Sequence, residues 1–88
     1  MICLPSKITH ANATQIRDEG VKSLRQQGIA QSIFVDAKDL VDFDSSILAL
    51  LLAWRRVTPA LIIKAAPQKL QKLARVYGVS DLLTFREA

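Results

Sequence analysis

Residues 33–56 read IFVDAKDLVDFDSSILALLLAWRR. Ser32 to Asp36 is short, β-branched and aromatic, and it ends on an acid; such a run predicts a buried central strand. Residues 37–44 read as a loop. From about Ser45 to Arg56 the chain predicts a helix that is apolar nearly all the way round, through Ile47, Leu48, Ala49, Leu50, Leu51, Leu52 and Ala53. A helix of that kind is expected to be sandwiched, with one face on a sheet and the other on more protein. The join between strand and helix is the unusual part, because Asp44, Ser45 and Ser46 open the most apolar segment of the chain.

Working outward, Ile2 to Thr9 alternates weakly, with Pro5 interrupting, and reads as a short edge strand. Asn12 followed three residues later by Gln15 fits a capping box. From Ala13, small or apolar residues recur at Ile16, Gly20, Val21 and Leu24, opposite Arg17, Asp18, Lys22 and Arg25, and Gly28 supplies a stop. Beyond the central helix, Thr58 and Pro59 break the chain, and Leu61 to Lys64 reads as a second buried strand. Pro67 suits a first helical turn. Leu70, Leu73, Ala74 and Tyr77 then form one stripe before Gly78 closes the helix. Val79 to Phe85 reads as a last strand or a helical turn. The order strand, helix, strand, helix, strand, helix implies parallel right-handed crossovers and an α/β sheet flanked by helices. Open α/β sheets place function at the carboxyl ends of their strands. Asp36 and the Asp44 to Ser46 loop both fall there.

The totals bound the answer to one domain over residues 1–88, enough for a single small core. The run from Ile47 to Trp54 is far too short for the roughly 20 apolar residues of a membrane span, and the first ten residues lack the layout of a signal peptide. The single cysteine, Cys3, rules out an internal disulfide framework and points to a reducing compartment; its plainer reading is a small buried hydrophobe in the first strand. Twelve basic and eight acidic residues give a net charge of +4. The cations are scattered and no aromatic residues interleave with them, so nucleic acid is disfavoured against an acidic protein partner.

Catalytic chemistries find no support. His10 is the only histidine, and there is no Gly-x-Ser-x-Gly elbow for a Ser/His/Asp hydrolase. One His and one Cys cannot make a structural zinc site, and no glycine-rich loop is present to cradle phosphate. Neither a metal nor a cofactor is expected, and the chain reads as a binding or regulatory module rather than an enzyme. Asp36, Asp39, Asp42 and Asp44 crowd together, but the simpler reading ends a strand with Asp36 and caps a helix with Asp44. Ser45 falls in the first helical turn with its hydroxyl outward, where a phosphate would gain from the helix dipole.

The stretch Ile33 to Asp36, then Leu40, then Asp44-Ser45-Ser46, then Leu48 and Leu51, resembles the signature of STAS domains, named for sulphate transporters and anti-sigma factor antagonists. The family pattern is an apolar strand ending in Asp or Asn, a seven-residue gap, and Asp-Ser-Ser-Gly or Asp-Thr-Gly-Gly opening an apolar helix. The resemblance continues through Leu61 to Lys64, Leu70 to Tyr77, and Gly78 to Phe85. Two departures stand out: Ile47 occupies the usual glycine position, and a strand that usually precedes Ile2 to Thr9 is absent or supplied by a partner.

The resemblance implies a mixed, largely parallel sheet and one of two roles. In anti-sigma factor antagonists a kinase phosphorylates the serine aligned with Ser45 and switches binding off. In the bacterial phospholipid ABC transporter of outer-membrane lipid asymmetry, a small STAS subunit binds the cytoplasmic ATPase. The segments Leu48 to Leu52 and Leu73 to Val79 resemble the transporter subunit more, which implies a cytoplasmic chain at the inner membrane only through that ATPase. The alternative partner is an anti-sigma factor kinase. Contact is then expected at Asp44, Ser45, Ser46 and Leu48, with Ser45 the possible phosphorylation site and Asp36 shaping the loop. Trp54, Arg55 and Arg56 extend the surface, unless Trp54 is a core residue. A lipid- or nucleotide-binding domain is the third reading.

Overall fold

The computed structural model describes residues 2–27 and 33–86. The elements run β1 (Ile2–Cys3), β2 (Lys7–Ile8), α1 (Ala13–Gln27), β3 (Ile33–Asp36), β4 (Asp42–Phe43), α2 (Ser46–Val57), β5 (Leu61–Lys64), α3 (Gln68–Val76), a 3-10 turn at Ser80–Leu82, and β6 (Thr84–Arg86). Gly28 and Ser32, expected as helix stop and strand start, lie outside the described residues.

Strands β1, β3, β5 and β6 form one sheet in that order, and each neighbouring pair is parallel. Every crossover therefore steps in the same direction, and the right-handed rule sets the three helices on one face. Burial agrees with this. Ile33, Val35, Leu61 and Ile63 are at most 4% exposed, whereas the alternating Phe34, Asp36, Ile62 and Lys64 stay half-buried on the other face. There the Lys64 ammonium stands 4.8 Å from the Phe34 ring centre.

The most apolar helix, α2, takes the middle. Its Ile47, Leu48, Leu50, Leu51 and Trp54 join the sheet residues in one core, and α1 covers it from the side. Trp54, expected either outside or in the core, is fully buried. Its indole Nε1 donates to the Arg17 carbonyl at 3.0 Å. Gly20 makes this possible, because a Cβ at that position would overlap the indole ring.

Four local expectations are corrected. The segment Ile2 to Thr9 is not one strand: Pro5 removes a donor, and the chain divides into β1 in the main sheet and β2 outside it. The segment 37–44 is not all loop, since β4 pairs in parallel with β2 through Lys7 with Asp42 and Ile8 with Phe43. The capping box does not form. Asn12 Oδ1 accepts from the Thr9 amide at 2.8 Å and its Nδ2 donates to the Lys7 carbonyl at 2.9 Å, so Asn12 closes the β2–α1 turn instead. Cys3 lies in the first strand as expected, but it is exposed because it points to the open face of an edge strand.

At the other end, Gly78 adopts φ 72°, the Val79 amide donates to the Ala74 carbonyl at 2.9 Å, and the Gly78 amide donates to Arg75 at 3.1 Å. That pair of bonds is a Schellman stop. It turns the chain at Tyr77, which is 58% exposed rather than part of the buried stripe. The closing segment contains both a helical turn and a strand.

Candidate functional site

Because β2 and β4 run parallel and in register, the residues that follow them leave the same end side by side. Thr9 and His10 follow one strand, Asp44 and Ser45 the other. Asp44 then joins the two exits. Its amide donates to the Ile8 carbonyl at 3.2 Å, its Oδ2 accepts from the His10 amide at 3.0 Å, and its Oδ1 accepts from the Ser46 amide at 2.9 Å. His10 Nδ1 stands a further 3.4 Å from the same Oδ2.

These donors act on the carboxylate's charge. Asp44 is lowered from its ordinary 3.8 to about 2, first by the Ser46 amide, then by the His10 amide, with smaller help from the two side chains. Hydrogen bonds to the ionised form favour it. Asp44 is thus the helix cap expected of it, and also a clamp between two loops that sequence spacing does not reveal.

The clamp decides what the serines do. Ser45 has helical dihedrals (φ −63°, ψ −13°), its hydroxyl makes no capping bond, and it is exposed. Its carbonyl accepts from the Leu48 amide at 3.0 Å, so the first turn is already closed behind it. Ser46 is half-buried and lines a shallow cleft of about 240 Å³ with His10, Thr14, Arg17 and Ala49. Ile47, which stands where the family usually has glycine, is wholly buried in an ordinary helical turn. No glycine-only conformation is required there.

The remaining candidates separate. Asp36 ends β3 and shapes the loop start: its Oδ1 accepts from the Lys38 amide at 3.0 Å, with Lys38 Nζ 3.8 Å from Oδ2. Asp39 and Asp42 face solvent. Among the described residues, no three acids, histidines or cysteines converge on a point that could hold a metal ion. Leu48, expected at the contact surface, is 5% exposed and belongs to the core, on the buried side of its helix with Ile47 and Leu51. Trp54 also leaves the surface, packed against α1 at Gly20 and bonded to the Arg17 carbonyl, while Arg55 and Arg56 remain exposed.

Two residues were not anticipated from the sequence. In the sequence His10 is a lone histidine, and its partner lies 34 residues away. Lys69 Nζ stands 5.5 Å from the centre of the Phe43 ring, directly beside the serine-bearing turn.

The site is thus a small parallel α/β sheet that carries an exposed helix start beside a carboxylate bonded to two loops. The sequence model of the family described as "Mlab, STAS domain" matches residues 1–84, and the chain belongs to the STAS domain family. Among solved structures it is similar to the anti-sigma factor antagonist SpoIIAA in its unphosphorylated form. That match has a TM-score of 0.72 and 22% identity, and covers 96% of this chain and 76% of that one. The likeness establishes the STAS fold. No curated protein sequence matches the chain.

Proposed function

We propose that this chain is a non-enzymatic STAS accessory subunit that docks on, and supports, the cytoplasmic ATPase of a phospholipid-type ABC transporter. The observation that carries the reading is the α2 start. Asp44 takes over the capping duty, so Ser45 is presented outward, beside the half-buried Ser46, on a turn held by two hydrogen bonds to one carboxylate and one from its amide. A surface that is already ordered loses little entropy on association. The family match over residues 1–84 supports a STAS domain, which this reading shares with the alternative below. Among the described residues no helix is long and apolar enough to cross a membrane, and in this reading the chain reaches the inner membrane through its ATPase.

The second reading is an anti-sigma factor antagonist switched by phosphorylation of Ser45. It is favoured by the exposed hydroxyl at a helix start and by the fold shared with SpoIIAA.

Co-purification separates the two. The transporter reading expects the ATPase to be retained by the wild-type chain and by Ser45→Ala, and lost with Ser45→Glu, which leaves an unpaired charge in a closed contact. Recovery of an anti-sigma factor kinase with phosphate on Ser45 would overturn it.

A further inference from the structure

Resting on the reading of the chain as a protein-docking subunit, we infer that α3 carries a second contact, made for an acidic face of the same protein partner. Leu70 and Ala74 are fully buried and fix the inward side of this helix. The outward side is centred on Lys72, flanked by Lys69 and Arg75, with Gln68 and Val76 at its two ends, and all five are exposed. The helix contains no acidic residue, and none of its three cations enters a described ion pair. Asp81, the acid on the adjoining 3-10 turn, is itself exposed.

Helix stability accounts for Arg75, in the last turn where the dipole favours a cation, but not for the whole stripe. Lys69 sits in the first turn, where the helix dipole favours an acid. Its ammonium stands against Phe43, which sets the start of the stripe on the strand that leads into the serine-bearing turn. At the far end, Val76 is 81% exposed, Tyr77 58% and Leu82 44%. Uncompensated cations that lead into exposed apolar groups have the makings of a protein interface: charges that select and steer, and apolar groups that exclude water. The three cations recur every three residues, about 4.5 Å along the axis. An acidic helix laid alongside, with carboxylates three or four residues apart, repeats that spacing.

The test measures binding of the purified ATPase to the wild-type chain, to Ser45→Glu and to the triple variant Lys69→Gln, Lys72→Gln, Arg75→Gln. The triple variant is expected to bind roughly tenfold or more weakly, mainly through slower association. Raising ionic strength from about 0.05 to about 0.5 M is expected to weaken the wild-type complex and to leave the triple variant nearly unaffected. Unchanged affinity and salt dependence in the triple variant, with binding lost in Ser45→Glu, would overturn this inference and leave the docking reading standing. Failure of the wild-type chain to bind the ATPase would overturn both. Vesicles of phosphatidylglycerol and phosphatidylcholine are expected not to sediment the chain; sedimentation that the triple variant abolishes would overturn the inference in favour of lipid headgroups. Melting curves check that the triple variant is folded, and Lys72→Gln alone provides the same readout if it is not.

Discussion

Gly20→Ala tests the packing that hides Trp54. A methyl group at residue 20 would overlap the indole at Cε2, Cζ2 and Nε1, and the indole is fully buried. Forcing a methyl into a filled core costs about 1–3 kcal/mol. Pushing the ring aside also separates Nε1 from the Arg17 carbonyl, now 3.0 Å away. A buried donor left unpaired costs a further ~1–3 kcal/mol. Alanine's better helix propensity returns about 0.5–1 kcal/mol. The net expectation is a loss of about 3 kcal/mol, read by urea unfolding at constant m-value. At about 4–8 °C per kcal/mol for a domain of this size, Tm falls by roughly 12–24 °C. Trp54→Leu removes the overlapping atoms, so combining it with Gly20→Ala is expected to be non-additive by about 1–3 kcal/mol. A Gly20→Ala chain within about 0.5 kcal/mol of wild type, with additive behaviour in the double variant, would refute the reasoning.

Other substitutions probe the clamp and the core. Thr58 Oγ1 is buried and has no partner among the described residues, so Thr58→Val is expected to stabilise by about 1 kcal/mol in the same unfolding assay. Leu48→Ala is expected to cost about 2–4 kcal/mol of stability, as a core truncation does, which urea unfolding of the isolated chain would read. Asp44 carries a pH signature. Its folded pKa of about 2 lies below its ordinary 3.8, so its contribution is fully present above 3.8 and disappears as pH falls towards 2. Tm measured against pH is therefore expected to be lower for Asp44→Asn at neutral pH, with the two curves converging in acid.

Much of the fold was legible because the informative segments are long enough to carry a period. Ile33 to Asp36 and Leu61 to Lys64 announce buried strands, and the breadth of the α2 apolar surface follows from its two covers, sheet and α1. What escaped the sequence was set by contacts distant along the chain. The β2–β4 ladder is two residues a side, too short for any alternation to show. Trp54 ends an apolar run beside two arginines, and only the gap at Gly20 on another helix decides that it turns inward. Asn12 matched a capping pattern, but the carbonyl of Lys7 and the amide of Thr9 compete for its side chain and win it. At the candidate site, Asp44's capping role was visible locally, whereas its bond to His10 depends on two parallel strands ending together.

The central claim is that the α2 start is where this chain meets its partner. A photo-crosslinking residue in place of Ser45, with Arg56 at the exposed far end of the same helix as control, measures this directly in cells, and mass spectrometry names what is captured. The account predicts a single adduct with an ABC transporter ATPase from position 45 and none from position 56. An adduct with an anti-sigma factor kinase, or ATPase capture from position 56 and not from 45, would contradict it.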